Sequence, residues 1–591
     1  MKDAHSAPPP IRFGAFELEP ESGELRKQGL KVRLQEQPFQ ILQILLEHPG
    51  KVVTREELQQ RIWPSDTFVD FDHGLYNAIK KLREALGDSA DTPRYIETLS
   101  RRGYRFIAPV NGSALETSRS APIATAPRDS SAVLPFLNLS ADPENEFFAD
   151  GITEEIINAL AQIEQLHVVA RSSAFSFKGK HIDLRTIGEQ LNVRTILEGS
   201  VRRAGNHLRI TAQLVNVADG YHLWSQRYDR EMKDVFDIQD EIARSIAARL
   251  KVSLEGDRLQ PLVKARTKNL GAYELYLKGR ALLYQRGSGI PRALECFMRA
   301  VTLDAGYALA WAGLADAYTV LGYYGFGRPG IIMPKGTEAA RRAVALDPSL
   351  AEAHNALAFA CLLDAWDKAE AEREFLRALE LNPRYTQARS WYAFFYLQVA
   401  AGRWDEGVNH AKLAVDSDPL SGYANAILGL SYLLAERCAE GLTASKRAVE
   451  LDSDSFLARW ALHTALHRSG RFEEAVAVGE ISLAMSGRHA WAMAALATTF
   501  ADWGKATDAE AVYDELMARA RRYYVQPTQL AIAASAAGLQ HDAIRHAREA
   551  FETRDPSRNQ LTMTRNFSWP FSTRLQASPR FHEILMEFGL E

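Results

Sequence analysis

The chain has 591 residues, of which 46% are apolar, 24% charged and 9% aromatic, and this composition is typical of a globular protein of about four domains. Its 70 basic and 74 acidic residues give a net charge of -4, so a nucleic-acid site is expected only as a local patch. Three cysteines far apart in the sequence exclude a disulfide framework and a structural zinc cluster. No apolar run approaches the roughly 18 residues of a membrane span, and residues 1–10 lack the apolar core of a signal peptide. We therefore expect a disordered tail at residues 1–10 and a soluble, cytoplasmic protein.

The first folded region, residues 11–110, mixes short strand patterns with three helical ones. Apolar side chains recur on one face of residues 37–48, which predicts a buried first helix. The sequence Thr54-Arg-Glu-Glu57 is a capping box and predicts the start of a second helix. A third helix is expected over His73–Leu86, with Asp72 as its N-terminal cap.

The third predicted helix has two distinct faces. Its core face carries an apolar stripe: Leu75, Ile79, Leu82 and Leu86. Its opposite face and flank carry polar and charged side chains: His73, Asn77, Lys80, Lys81, Arg83 and Glu84. Amide and cationic groups on a helix can bind base edges and phosphates in a major groove. The alternative interpretation is an ordinary solvated helix surface.

A strand hairpin, Tyr95–Leu99 and Tyr104–Ala108, is predicted after this helix. The span 94–105 contains four arginines and one glutamate. An arginine-tipped hairpin beside a DNA-reading helix can reach a neighbouring minor groove. Arg101 and Arg102 are therefore candidate DNA contacts.

Residues 11–109 resemble the winged-helix output domain of the OmpR/PhoB family over its whole length. The resemblance is carried by three helices and by sequence motifs of the strands and the third helix: Phe13–Leu34 as an N-terminal sheet, Ile79-Lys-Lys-Leu-Arg83, Arg94-Tyr-Ile-Glu-Thr98 and Arg102-Gly-Tyr-Arg-Phe106. The resemblance implies that four residues of the third helix face DNA: Asn77, Lys80, Lys81 and Arg83. It also implies that Arg101 and Arg102 of the wing contact DNA. Together with His73, these residues form the predicted DNA-binding set.

The same resemblance implies a contact with RNA polymerase. The loop Pro64–Asp72 occupies the position that family members use for this purpose, and its candidate residues are Asp66, Phe68 and Asp70. Response regulators of the family carry a receiver domain before the winged helix, whereas only ten residues precede it here. We therefore expect no receiver phosphorylation as the input.

Residues 111–130 are small, polar and proline-containing, which predicts a flexible linker. Alternating strand and helix patterns then predict a small α/β domain over residues 131–255. This domain resembles the TolB-N-terminal-like, or FlgO-like, domain in four motifs: Val133–Ser140, Phe148–Thr153, Leu197–Arg202 and Leu223-Trp224. The motifs carry no established catalytic role. We interpret Asp150-Gly151 and Gly199-Ser200 as turns or helix caps.

From residue 270 onward the sequence is helical, alanine-rich and repetitive. Gly402, Gly470, Gly504 and Gly538 are separated by 68, 34 and 34 residues, and a period of 34 is typical of tetratricopeptide repeats. About eight repeats are expected over residues 270–556, followed by a C-terminal cap at 557–591.

No motif in the chain predicts catalysis. Gly325-Phe-Gly327-Arg-Pro-Gly330 fits a nucleotide-binding pattern, but it lies between two repeat helices and contains a proline. His463 and His467 are four residues apart on a helix, and with no third ligand indicated a surface or packing role is favoured. We therefore expect no enzyme activity, no cofactor and no metal.

The sequence predicts a multidomain fold: a winged helix-turn-helix (α+β) domain, a small α/β domain and an all-α tetratricopeptide solenoid. The predicted function is a DNA-binding transcriptional regulator that binds double-stranded promoter DNA. The TolB-like and repeat regions would serve sensing, oligomerisation or docking of a protein or peptide partner, and RNA polymerase and a second copy of the chain are candidate partners. The alternatives are a tetratricopeptide interaction scaffold with a minor DNA role and an adenylate-cyclase-associated accessory protein.

Overall fold

The computed structural model divides into two compact units, Met1–Pro122 and Ile123–Glu591, and each is considered by itself. The described residues are 11–14, 16–19, 24–27, 30–32, 34–47, 49–50, 52–62, 71–88, 93, 95–99, 103–108, 110, 127, 129–163, 165–180, 182–250, 266–287, 289–562 and 573–589.

In its described residues, the first unit consists of two small antiparallel sheets around three helices. The N-terminal sheet has the order β1-β2-β3-β4, and the second sheet has the order β5-β7-β6. The elements are β1 Ile11–Phe13, β2 Phe16–Glu19, β3 Glu24–Lys27, β4 Leu30–Val32, α1 Glu36–Glu47, β5 Val52–Thr54, α2 Arg55–Ile62, α3 Phe71–Leu86, β6 Ile96–Leu99 and β7 Gly103–Phe106. This is the architecture of a winged helix, in agreement with the predicted fold class.

Apolar side chains from both sheets and all three helices form the core of this unit. In α1 the buried face includes Leu42 and Leu45, neither of which is exposed to solvent. The hydroxyl of Thr54 accepts a hydrogen bond from the Glu57 backbone amide at 3.1 Å, which caps α2. The predicted start of the third helix was wrong: α3 begins at Phe71, so Asp72 lies inside the helix and does not cap it.

The second unit begins with a mixed six-stranded sheet. Five of its strands have the order β10-β8-β11-β12-β13, and the sixth, β9, pairs with β11. Strands β8, β10 and β11 are parallel, and β11, β12 and β13 are antiparallel. The elements are β8 Ser130–Val133, β9 Leu137–Asn138, α4 Glu146–Ala161, β10 His167–Val168, α5 Arg171–Phe175, α6 Leu184–Leu191, β11 Thr195–Ala204, β12 His207–Asn216, β13 His222–Glu231 and α7 Val235–Arg249. These elements form the expected small α/β domain.

Three predictions for this domain were wrong in detail. Ser130 already belongs to β8, so the predicted linker 111–130 extends one residue too far, and its residues 111–126 lie outside the described part of the chain. The pair Asp150-Gly151 lies within α4, and Gly199-Ser200 lies in the middle of β11. Both pairs were interpreted as turns or caps because glycine is unfavourable inside helices and strands.

Eight consecutive helix pairs follow between residues 270 and 552 of the described chain. The pairs are α8 Leu270–Gln285 with α9 Gly289–Leu303, α10 Ala308–Tyr323 with α11 Pro329–Leu346, α12 Ala351–Ala360 with α13 Lys368–Leu381, α14 Thr386–Trp391 with α15 Trp404–Ser417, α16 Gly422–Leu434 with α17 Cys438–Leu451, α18 Phe456–Arg468 with α19 Phe472–Met485, α20 Ala490–Asp502 with α21 Ala506–Ala520, and α22 Pro527–Ala536 with α23 Gln540–Glu552. Helices α12 and α14 each continue into a π-helical segment, Cys361–Ala365 and Tyr392–Ala400.

The paired helices pack through small residues on the second helix of each pair. Ala371, Ala543 and Ala547, for example, are fully buried, which allows neighbouring helices to approach closely. In the described part of the chain, three short helices follow the last pair: α24 Asn559–Thr562, α25 Thr573–Gln576 and α26 Pro579–Glu587. Phe581 of α26 is buried in the same core as the repeats, so the described part of the C-terminal segment covers the end of the solenoid.

Candidate nucleic-acid interface

One face of helix α3 packs into the core of the first unit, and the opposite face is exposed to solvent. Leu75, Ile79, Leu82 and Leu86 are between 0% and 3% exposed and pack into the core of the first unit. Because these residues recur at helical spacing, they fix the rotation of α3 about its axis. The face that remains in solvent is therefore set by the apolar stripe.

The exposed face of α3 carries Asn77, Lys80 and Lys81, as the sequence predicts. Lys81 Nζ donates a hydrogen bond of 2.8 Å to Oε1 of Gln35, the residue before α1. Asn77 and Lys80 make no hydrogen bond to another described residue. Two lysine side chains and one amide thus lie side by side with polar groups available to a ligand.

Arg83 behaves differently from the two lysines. It is half-buried, and its guanidinium donates to the carbonyl oxygen of Ile96 at 2.8 Å and to Oγ1 of Thr98 at 2.9 Å. Both acceptors belong to β6, so Arg83 ties α3 to the wing sheet. Since both bonds are donated by Nη2 to β6, the first effect of Arg83 is to position the helix against the wing.

In the wing sheet, β7 approaches the backbone of β5 so closely at Gly103 that only glycine fits there. Gly103 has a φ of +148°, and a Cβ atom there would lie 2.9 Å from Cα of Thr54, against the backbone of β5. Arg105 Nε donates to Oε2 of Glu97 across the hairpin at 2.8 Å. Asp88 accepts a hydrogen bond from the Ile96 amide at 2.9 Å, which fixes the connection from α3 to β6.

Six of the predicted site residues cannot be placed. Arg101, Arg102, Asp66, Phe68 and Asp70 lie outside the described residues, and the side chain of His73 is likewise outside them although its backbone belongs to α3. Sequence reasoning missed two participants, Gln35 and Asp88. Asp88 could have been found as an acidic residue just after the helix, whereas nothing in the local sequence connects Gln35 with Lys81, 46 residues away.

The second unit places the two predicted histidines inside a repeat core. His463 and His467 are buried, and their rings contact the same hydroxyl, Oγ1 of Thr499, at 3.0 and 2.9 Å. Burial, together with the charge of His467, lowers the pKa of His463 to about 4. Among the described residues no group of three or more potential ligands could hold a metal ion.

Two further features of the chain are structural. Gly325 lies in the turn between α10 and α11 with a φ of +72°, and the glycine-rich stretch runs from this turn into the first turn of α11. Within the described part of the chain, none of the helices is both long and apolar enough to cross a membrane.

Two families match successive parts of the chain. Residues 29–106 match the family described as transcriptional regulatory protein, C terminal. Residues 128–245 match the second domain of HilA/YgeH-like transcriptional regulators. The resemblance of residues 131–255 to TolB-like domains stays a prediction.

Three similar proteins cover between 33% and 55% of the chain. "Putative adenylate cyclase 3" of Rhizobium meliloti (strain 1021) is 36% identical over 271 residues, which are 46% of this chain and 44% of that protein. The transcriptional regulator HilA of Salmonella typhi is 26% identical over 333 residues, 55% of this chain and 56% of HilA. A tetratricopeptide protein of Thermus thermophilus with a solved structure is 19% identical and covers 33% of this chain and 98% of its own, with a TM-score of 0.29.

The chain spans about half the length of the curated relatives it matches. The family match at residues 29–106 covers all three helices and both wing strands of the first unit. Residues 29–106 are therefore an OmpR/PhoB-type winged-helix domain of the transcriptional regulatory protein family, joined in one chain to a HilA/YgeH-like second domain and a tetratricopeptide-type solenoid.

Proposed function

We propose that the protein is a transcriptional regulator whose winged helix binds double-stranded promoter DNA. The observation that carries the proposal is the exposed face of α3, where Asn77, Lys80 and Lys81 lie opposite a fully buried stripe. A rigid helix with one cationic and amide-bearing face suits insertion into a major groove. Relatives that are named transcriptional regulators support the same function.

The residues of this face have different proposed roles. Lys80 and Lys81 contact phosphates, because a lysine is a compact charge on a flexible stem. Asn77 reads a base edge, since an amide can pair with adenine in the major groove. Arg83 positions α3 against the wing through its bonds to β6. His73, Arg101 and Arg102 add contacts to DNA, and Asp66, Phe68 and Asp70 form a surface for RNA polymerase.

The test is a titration of the full chain on a promoter fragment recovered from genomic occupancy, and on a scrambled fragment, at several salt concentrations. Replacing Lys80 and Lys81 together by alanine weakens binding to both fragments and makes the salt dependence shallower by about one unit per phosphate contact removed. Asn77→Ala costs about 1–3 kcal/mol on the promoter fragment and relaxes one position of the site.

The control is Lys27→Ala, which removes one positive charge, half of that removed in the double variant, from an exposed lysine of β3 in the same domain. Arg83→Lys separates charge from position, because a lysine keeps the charge but cannot replace the guanidinium that reaches both Ile96 and Thr98. We expect Arg83→Lys to lower affinity with an unchanged salt slope. A folded Lys80/Lys81 double variant that binds like the Lys27 variant contradicts the proposal.

The second unit has a proposed role in sensing, oligomerisation or partner docking. A second candidate function comes from the relative named adenylate cyclase, which is 36% identical over 271 residues. We propose that this chain is not itself an enzyme, with support from the regulator families that match its first two domains. Incubation of the full chain with ATP and Mg²⁺ or Mn²⁺ distinguishes the two, because formation of a cyclic product above a protein-free blank favours the cyclase.

A further inference from the structure

A cavity of about 630 Å³ lies within the second unit, between the middle domain and the repeats. One wall consists of Glu154 from α4 and the strip Val168–Ser172 around the start of α5, and the facing walls come from several repeats. The volume falls in the range of about 300–1,000 Å³ that is usual for small-molecule sites. Because the middle domain forms one wall, the cavity lies between two structural modules.

One end of the cavity is rich in arginine. Glu154 forms ion pairs with Arg171 at 3.0 Å and Arg280 at 2.7 Å. Burial raises the pKa of Glu154, but the charges of Arg280 and Arg171 outweigh this effect, so the pKa lies below its usual value. Two guanidinium groups thus share one carboxylate, which leaves a net positive charge at this end.

Arg286 lines the same cavity and forms no ion pair within 4 Å in the described part of the chain, but its charge acts on the buried carboxyl of Asp316. Its guanidinium carbon lies 5.9 Å from the ring centre of Tyr423, which is also part of the lining. Burial raises the pKa of Asp316 to about 7, so this carboxyl only partly neutralises Arg286. The three guanidinium groups at this end therefore keep a net positive charge, which favours the binding of an anion.

The backbone of Arg286 is strained. Its φ of +59° and ψ of -163° lie at the edge of a region that is essentially restricted to glycine. Gly287, the next residue, has an unobstructed Cβ position, so the chain offers glycine beside the strained position but not at it. Backbone strain of this kind, at a residue whose side chain lines a cavity, is typical of binding sites.

Aromatic rings form a second part of the cavity wall. His489 lies 5.2 Å from Phe456, 6.0 Å from Phe326 and 6.2 Å from Tyr324, measured between ring centres. All four residues line the cavity. Burial lowers the pKa of His489 to about 4, so this ring is neutral near pH 7. Such a wall suits a planar ring, which can stack on aromatic side chains.

Carboxylates complete the lining. Asp418 is already engaged, because Oδ1 accepts hydrogen bonds from the Ser173 amide at 2.9 Å and the Ser173 hydroxyl at 2.6 Å. Glu352 and Asp454 also line the cavity. Carboxylates accept hydrogen bonds from hydroxyl and amino groups, so the ligand must combine an anionic group, a planar ring and hydrogen-bond donors.

We propose that this cavity is a binding site for a nucleoside monophosphate. Arg286, with the arginine-rich end around Glu154, holds the phosphate. The aromatic wall around His489 stacks on the base. Glu352 and Asp454 accept hydrogen bonds from the sugar hydroxyls and the amino group of the base. Each of the three parts of the ligand has its counterpart in the lining.

The test is calorimetric titration of the full chain, without DNA, with each of the four ribonucleoside monophosphates. Adenosine and inorganic phosphate serve as probes that contain only part of the ligand. We expect at least one monophosphate to bind about tenfold or more tightly than either partial probe, because both the ring and the anion are recognised. Binding of none of the four at millimolar concentration, or equal binding of phosphate alone, overturns the proposal.

The informative variant is Arg286→Gly. Glycine adopts the backbone conformation of this position without strain, so the melting temperature stays the same or rises while affinity falls about tenfold or more. The control is Arg292→Ala, which removes an exposed arginine from α9 of the same repeat and leaves affinity unchanged. An Arg286→Gly protein that binds as the unmodified chain does overturns the proposal. Because no DNA is present, this result does not depend on the proposed function of the winged helix.

Discussion

Gly151 sets how closely α4 approaches the first repeat helix, α8. A Cβ atom at Gly151 would lie within 3 Å of three side-chain atoms of Leu277 on α8. Leu277 is itself only 4% exposed, so it cannot turn away into solvent. The same principle operates at Gly199 in β11, where a Cβ would lie 2.6 Å from the ring of Phe136. At both positions glycine allows a neighbouring side chain to pack directly against the backbone of a helix or strand.

Gly151→Ala therefore destabilises the second unit by about 1–3 kcal/mol, because the added methyl group overpacks a well-filled contact. The measurement is urea unfolding of the full chain followed by tryptophan fluorescence. Gly330→Ala is the control, since Gly330 lies in the first turn of α11 and has no atom within 4 Å of its Cβ position. We expect the control to be neutral or slightly stabilising, and equal effects of the two substitutions contradict the close-contact interpretation.

Two buried carboxyl groups make stability depend on pH near neutrality. Burial raises the pKa of Asp316 to about 7 against the opposing charges of Arg280 and Arg286. Burial, with the charges of Glu154 and Glu352, raises the pKa of Glu155 to about 7. Both groups hold a proton more tightly in the folded state than in the unfolded state. Their stabilising contribution is therefore present at acid pH and lost as the pH rises through 7.

Between pH 6.5 and 8 the free energy of unfolding should fall by about 1 kcal/mol for each of these groups. Below pH 6.5 the buried histidines act in the opposite direction: burial lowers the pKa of His463 and His489 to about 4, so protonation favours the unfolded chain. The comparison with a variant that keeps both histidines separates the two effects. Urea unfolding at both pH values is compared for the unmodified chain and for Asp316→Asn, which should reduce the decrease. An equal decrease in both proteins would falsify the assignment to Asp316.

At the scale of elements, the turn between the two helices of a repeat contains a residue in the left-handed backbone conformation. Gly402, Gly470, Gly504 and Gly538 have φ values between +66° and +81°. The position between the first two of these glycines, at the same spacing of 34, is Glu436 with a φ of +59°. The 68-residue interval seen in the sequence is therefore two ordinary repeats, one of which uses glutamate at the turn.

Glu436→Gly should stabilise the protein by about 1 kcal/mol, because a non-glycine residue in the left-handed region carries a steric cost of roughly this size. The side chain of Glu436 is exposed, so its removal takes away little packing. Chemical unfolding of the full chain gives the change in free energy. The reverse substitution, Gly470→Ala, should destabilise by a comparable amount, since its φ is +70° and nothing lies within 4 Å of its Cβ position. Changes of the same sign in the two variants contradict this account of the turn.

The elements that the sequence predicted well are those whose pattern is local. The apolar stripe of α3, from Leu75 to Leu86, and the 34-residue period both follow from side-chain spacing alone. The sequence interprets Asp150-Gly151 as a turn or cap although the pair lies within α4, because Gly151 looks like a helix end until its contact with Leu277 is known. The bond from Lys81 to Gln35 and the bonds of Arg83 to β6 join distant residues, so only the folded chain reveals them.

At the scale of the whole molecule, the middle domain and the repeats are one folded unit. A single apolar cluster runs from Val133 in β8 to Ile584 in α26. Gln239 of α7 donates to the hydroxyl of Tyr273 on α8 at 3.1 Å. The middle domain is therefore integrated with the first repeat, and its surface is shaped by contact with the solenoid.

A second connection joins α5 to the turn between α15 and α16. Asp418 accepts two hydrogen bonds from Ser173, and the Ser173 hydroxyl in turn accepts one from the Leu420 amide at 2.9 Å. Asp418 and Ser173 are 2% and 0% exposed. Polar groups buried in this way stabilise a contact only while every partner is present, because an unsatisfied donor left in the interior costs about 1–3 kcal/mol.

Asp418→Ala should therefore destabilise the second unit by about 1–3 kcal/mol, since it leaves the Ser173 amide without an acceptor. Asp418→Asn keeps an acceptor oxygen and should cost less. The control is Asp416→Ala, which makes the same change at an exposed position two residues away. Urea unfolding of these variants, of Ser173→Ala and of the Asp418/Ser173 double variant measures the coupling, expected at about 0.5–3 kcal/mol for residues in direct contact. Amide exchange in α5 should rise in Asp418→Ala. Additive effects of the two single substitutions, or an Asp418→Ala protein as stable as Asp416→Ala, would show that this connection does not hold the middle domain to the repeats.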